Sequence, residues 1–139
     1  MKTIRHISVL SFLLLAASSP CLAAMSIEKV SKERAKALGI EMRAKPNGAN
    51  EVWLELELKP EGELKGFNHV SLEIRDGEKF LLGWTPLADR PLGSGARIVT
   101  LLVNREYAEK ITLTVVCGAD GSEGHELRVT DFVDLKNVP

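Results

Sequence analysis

The sequence predicts an all-β fold in which two antiparallel sheets pack as a β-sandwich. Three observations carry that prediction. Apolar and polar residues alternate with period two from Ile40 onward, turn-forming residues separate the alternating runs, and no connection between runs is long enough for a helix. Parallel neighbours need a long, usually helical crossover, so strands joined this closely are expected to be antiparallel.

The beginning of the chain stands outside this pattern. Lys2 and Arg5 precede an apolar stretch at 7–17, followed by Ser18-Ser19-Pro20 and Cys21-Leu22-Ala23. A basic flank, a short apolar core and a small-residue exit predict a cleavable signal peptide over 1–23 and a periplasmic or secreted protein. The apolar stretch is too short to cross about 30 Å of hydrocarbon as a helix, so no membrane span is expected after cleavage. Pro20 before Cys21, and Ser18 three places before it, depart from the Leu-x-(Gly/Ala)-Cys pattern of lipid-carrying signals.

Removing Lys2 and Arg5 takes Lys+Arg from 18 to 16 against 19 Asp+Glu, a formal charge of −3. The charges are interspersed and no basic run forms, which disfavours a nucleic-acid partner. Cys21 leaves as well, so Cys117 stands alone and no disulfide is expected within the mature chain. The domain must then be held by its core, which a chain of this size can supply.

Residues 24–39 are expected to be a helical leader, with a short N-terminal helix over 27–38. Ala, Lys, Glu, Arg and Leu favour helix, Glu28 stands four before Lys32, and Gly39 is placed to stop it. The β-sandwich occupies 40–139. Ile40, Met42 and Ala44 alternate with Glu41 and Arg43; Val52, Leu54, Leu56 and Leu58 alternate with Trp53, Glu55 and Glu57. Val70, Leu72 and Ile74 form the next set, then Phe80, Leu82 and Trp84. The run at 98–103 is apolar on both faces except Thr100, which predicts a central strand. Ile111, Leu113, Val115 and Cys117 follow, and Leu127 and Val129 open a last strand continued by Phe132, Val133 and Leu135. About seven strands with this spacing point to an immunoglobulin- or fibronectin-III-like arrangement, an analogy from strand number alone. The Tyr-x-Cys corner of true immunoglobulin domains is missing, since Val115 stands two before Cys117.

The Asp76-Gly77 hairpin admits two registers. A two-residue loop of Asp76 and Gly77 would set Lys79 against Ile74 on the oily face. A three-residue loop, Arg75-Asp76-Gly77, sets Ile74 opposite Glu78, Leu72 opposite Phe80, Val70 opposite Leu82 and Asn68 opposite Trp84, and is the expected one because a one-residue slip turns the apolar set outward.

No catalytic group is predicted. Nucleophilic catalysis needs a nucleophile, a base within reach and a group that orients it. The mature chain has two histidines: His69 on the outward parity of its strand, and His125 at the end of a Gly-Ser-Glu-Gly loop. His69, Cys117 and His125 include the ligand types of a blue-copper site, but His125 lies eight residues beyond Cys117 and no methionine follows Met42. The loop Asp120-Gly121-Ser122-Glu123-Gly124 lacks the acidic ladder of an EF-hand. No metal or cofactor is therefore expected, and Cys117, on core parity, should be a buried thiol.

Trp53 is the least ordinary residue. It shares parity with Glu51, Glu55 and Glu57, so an indole should face outward beside carboxylates, as in sugar-binding sheets and protein interfaces. Trp84, on inward parity, is expected in the core. The loop at 85–96 carries Arg90, which can meet a carboxylate or phosphate. Trp53, Glu55 and Arg90 are the candidate binding residues, and a shared site requires Trp53, the 85–96 loop and the 118–125 loop to converge. The expected function is that of an exported, non-catalytic binding module whose partner is another envelope or extracellular protein. A small exported hydrolase or metal-handling protein using His69, His125 and acidic loop residues is the alternative.

Overall fold

The computed structural model describes residues 24–139, so the expected signal peptide over 1–23 lies outside the described residues. From its N-terminal end the chain forms β1 (Ser26–Lys29), α1 (Lys32–Leu38), β2 (Ile40–Asn47), β3 (Glu51–Leu58), β4 (Phe67–Asp76) and β5 (Lys79–Leu87). Then follow β6 (Asp89–Pro91), β7 (Arg97–Asn104), α2 (Arg105–Ala108), β8 (Ile111–Cys117), β9 (Glu123–Arg128) and α3 (Val129–Phe132). A five-stranded sheet has the order β1-β9-β8-β4-β5 and a four-stranded sheet the order β2-β3-β7-β6. Every pairing is antiparallel except β1 with β9. The described residues are mostly β and sandwich-like, with two sheets and no barrel closure among them.

Period-two alternation builds the core as expected. Val52, Leu54, Leu56 and Leu58 of β3 join Val70 of β4, Ile111, Leu113 and Val115 of β8, and Leu127 of β9 in one buried cluster. Truncating such a leucine to alanine typically costs about 2–5 kcal/mol. Pro46, Pro86 and Pro91 lie on β2, β5 and β6, each an edge strand, where a missing N–H breaks no inner ladder.

The N-terminal segment differs from expectation. Helix forms only over Lys32–Leu38, where Ser31 Oγ accepts the Arg34 N–H at 3.2 Å and Gly39, at φ 74°, closes the last turn. Ile27 and Glu28, expected in that helix, instead lie in β1 beside β9. Residues 24–39 therefore add a strand to the five-stranded sheet, and α1 carries the chain across to the four-stranded one. At the other end, Val129 and Phe132 belong to α3 and not to a continuing strand; both are buried, as is Leu135. The 98–103 run is central only in part, because β6 pairs with Arg97, Ile98 and Val99 and leaves the rest of that edge of β7 open.

The expected hairpin register is also overturned. Asp76 pairs with Lys79, Arg75 with Phe80, Ile74 with Leu82 and Leu72 with Thr85. Gly77, at φ 59°, and Glu78, with no positive φ, form a two-residue loop of type II′ character. Two register shifts place Leu81, and then Gly83 and Trp84, in irregular stretches of β5. The expected register rested on burying Phe80, Leu82 and Trp84, and all three are exposed on an edge strand. Burial therefore had no hold on the register, and the turn and bulges set it.

Candidate functional site

The outer face of the four-stranded sheet carries all three candidate binding residues. Trp53 pairs with Lys45 on one side and Leu102 on the other; Glu55 pairs with Arg43 and Thr100; Arg90 pairs with Ile98, which pairs with Glu57. Side chains of paired residues share a face, so Trp53, Glu55 and Arg90 point the same way from β3 and β6. The carboxylates of this face are engaged with the neighbouring strand. Arg43 Nη2 donates to Glu57 at 2.6 Å, Lys45 Nζ to Glu55 at 3.1 Å and Asn47 Nδ2 to Glu51 at 2.9 Å. Among these polar groups stands an exposed apolar pair: Trp53 is 38% exposed and Leu102, directly opposite, 42%. Glu55 thus braces β2 against β3 beside the indole. The 118–125 loop does not join them, since it follows β8 at the Cys117 end of the other sheet, whereas Trp53 lies near the Asn104 end of β7.

A second surface was not anticipated. On β5, Phe80 is 53% exposed and Trp84 45%, with Leu81 and Leu82 exposed between them. The Arg75 guanidinium lies 4.1 Å from the centroid of the Phe80 ring, a cation–π contact that steadies one face of the hairpin. Lys110 Nζ donates to Asp76 Oδ2 at 3.2 Å and ties the tip to the turn between α2 and β8. The signal in the sequence was Leu81: Phe80-Leu81-Leu82 is apolar on both parities, which a strand with one buried face does not require.

The histidines do not converge. His69 pairs with Val116 on the outer face of the five-stranded sheet, whereas His125 pairs with Val115 on the inner face. His125 does not end a loop, as expected; it lies within β9 and is 6% exposed. Its Nδ1 stands 3.1 Å from Glu28 Oε2, and its Nε2 is buried without a partner among the described residues. Around His69, Nε2 lies 3.1 Å from Ser71 Oγ and Nδ1 3.1 Å from Asn68 Oδ1. That is the hydrogen-bond order of nucleophile, base and orienting group, but Ser71 is buried in a strand paired on both sides, opposite Thr114 and Pro86.

Asp120 Oδ1 accepts the Ser122 N–H at 3.1 Å, and bonds from Ser122 hold its carboxyl below the usual range. The acidic loop is thus folded onto itself as a turn. Among the described residues Cys117 has no disulfide partner; it is buried, and burial pushes its thiol up. Among the described residues, no group of three or more His, Cys, Asp or Glu is placed to hold a metal ion.

A polar cluster at the β1 edge also escaped the sequence reading. Arg34 Nε donates to Glu28 Oε1 at 2.8 Å and Arg34 Nη1 to Glu63 Oε1 at 3.0 Å. The guanidinium holds both carboxyls below the usual range, and the two carboxylates in turn raise Arg34. The cluster joins β1, α1 and the 3-10 turn Gly62–Leu64, all within one corner of the sandwich.

Comparison with known proteins adds no assignment to this geometry: no protein-family model matches the chain, and no curated protein matches it significantly.

Proposed function

We propose that the protein is an exported, non-catalytic binding module of immunoglobulin-like type, acting on another protein of the cell envelope or extracellular space. The observation that carries the reading is the row of exposed apolar side chains on β5: Phe80, Leu81, Leu82 and Trp84. Contiguous exposed apolar surface on a soluble domain marks an interaction site. Among the described residues β5 is also the last strand of its sheet, so its outer main-chain groups can take an extended segment of a partner, with alternate side chains giving specificity. Trp53 and Leu102, with Arg90 on the same face, offer a second contact area on the other sheet.

Strand order supports the immunoglobulin-like reading. The order β2-β3-β7-β6 corresponds to A-B-E-D, and β9-β8-β4-β5 to G-F-C with a C′ strand added. Lys2, Arg5 and the apolar stretch that follows support export. The hydrolase or metal-handling alternative has less support, because His69 and His125 lie on opposite faces of one sheet.

Site-specific photocrosslinking in producing cells tests the contact. A probe at Leu81 should give one discrete adduct, lost in the double variant Phe80→Ser/Trp84→Ser, while a probe at Glu33 on α1 should give none. Equal adducts from both probes, or an adduct unaffected by the double variant, would remove the hairpin as the contact surface. Export is tested in the same cells by fractionation and by the N-terminal sequence of the mature chain.

A further inference from the structure

Beside β2, on the opposite edge of the sandwich from β5, lies a cleft of about 530 Å³. That volume falls within the roughly 300–1,000 Å³ typical of small-molecule sites. Its floor is apolar, with contributions from Ile40, Met42 and Phe132. Its rim is basic. Lys32 and Lys36, four residues apart on one side of α1, stand over it, and Lys59, directly after β3, joins them. None of these three ammonium groups lies within ion-pair distance of a carboxylate among the described residues. Glu41 and Glu57 also reach the cleft, but both are engaged by Arg43, at 3.7 Å and 2.6 Å. The rim therefore keeps a net positive charge above an oily floor.

We infer that this cleft binds a small anionic amphiphile, a molecule with a carboxylate, sulfate or phosphate head and a short acyl or alkyl tail. The head sits among Lys32, Lys36 and Lys59, which attract it from solution and hold it without a fixed geometry, as mobile ammonium groups do. The tail lies on Ile40, Met42 and Phe132, where each buried methylene contributes about 0.8 kcal/mol. A bare inorganic anion would leave the floor wet, and an uncharged tail would leave the lysines unanswered. The inference does not depend on the β5 contact, which lies on the other edge.

Calorimetric titration with sodium decanoate below its micelle threshold, together with amide chemical shifts at Met42 and Phe132, tests it. Saturable binding of one decanoate per chain is expected, weakened by added salt. Lys32→Glu/Lys36→Glu should lower the affinity by about tenfold or more, while Lys79→Glu, at the distant hairpin tip, should leave it unchanged. The lysines are exposed, so circular dichroism of both variants should match the parent. No saturable binding would overturn the inference. So would acetate or decyltrimethylammonium binding as tightly as decanoate, or equal losses in the two variants. Displacement of decanoate by a more tightly held poly-glutamate peptide would reassign the cleft to an acidic strand added to the edge of β2.

Discussion

His125 Nδ1 and Glu28 Oε2 meet at 3.1 Å across 97 residues of sequence, joining β9 to β1. The contact gives a half-satisfied buried imidazole its partner, since Nε2 has none among the described residues. Glu28 is shared with Arg34, so the pair belongs to the cluster that fixes the N-terminal segment to the sheet.

Removing one partner of a buried polar contact costs more than removing the buried polar group itself. Glu28→Ala should therefore lower the thermal midpoint more than His125→Leu, and His125→Leu should recover part of the loss when added to Glu28→Ala. Thermal unfolding of the two single variants and the double variant checks this; strictly additive shifts would show that the contact is not energetically coupled.

Acid should loosen the same corner. Glu28 and Glu63 have carboxyls depressed in the folded state by Arg34. Their contribution is complete above the unfolded-state value of about 4 and is lost as the pH falls through the lower folded values. Urea midpoints measured from about pH 6 to about pH 2 should fall on the acid side, and Arg34→Met should flatten that fall by returning both carboxyls toward their unfolded values.

Trp53 and Leu54 are neighbours on opposite faces of β3, one exposed and one fully buried. Trp53→Ala should cost about 1 kcal/mol or less, and Leu54→Ala about 2–5 kcal/mol, by chemical unfolding. A Trp53 loss in the larger range would place the indole in a packed environment.

The hairpin makes two further demands. Gly77→Ala, at φ 59°, should destabilise by about 1 kcal/mol because an L side chain crowds the backbone there. Phe80→Ser/Trp84→Ser should lower stability by urea unfolding by only about 1 kcal/mol or less, the cation–π contact with Arg75 being lost, and should reduce binding of a hydrophobic dye, as expected for exposed side chains.

Cys117 should resist labelling. Burial raises its thiol and shields it from solvent, so Ellman's reagent should react slowly with the folded protein and rapidly in denaturant. Rapid reaction without denaturant would mean that β8 opens readily.

Much of the fold was legible because alternation records which side of a strand meets oil. Val52, Leu54, Leu56 and Leu58 are buried as their parity requires, and Trp53 faces outward with Glu55. The same rule misled at Phe80, Leu82 and Trp84, where inward parity on an edge strand does not supply a layer to pack against. At His125 the glycine-rich stretch before it misled instead: it suggested the end of a loop, and nothing local shows that Glu28 will arrive beside it from the far end of the chain.

Of the candidate binding residues, Trp53 could be read from its strand alone, whereas the common face of Trp53, Glu55 and Arg90 depends on β7 lying between β3 and β6. Local pattern thus determined the strands of the central part of the chain and the inward residues of β3, β4 and β8, but not the strand at 26–29, the helix at 129–132 or the outward side chains of β5. Tertiary structure alone decided which strands are edges, and so whether burial could act on the hairpin register, and that three lysines from two elements stand around one apolar cleft. The physical reason is range: pleat and turn act between near neighbours in sequence, while exposure and electrostatics depend on whatever distant segment packs alongside.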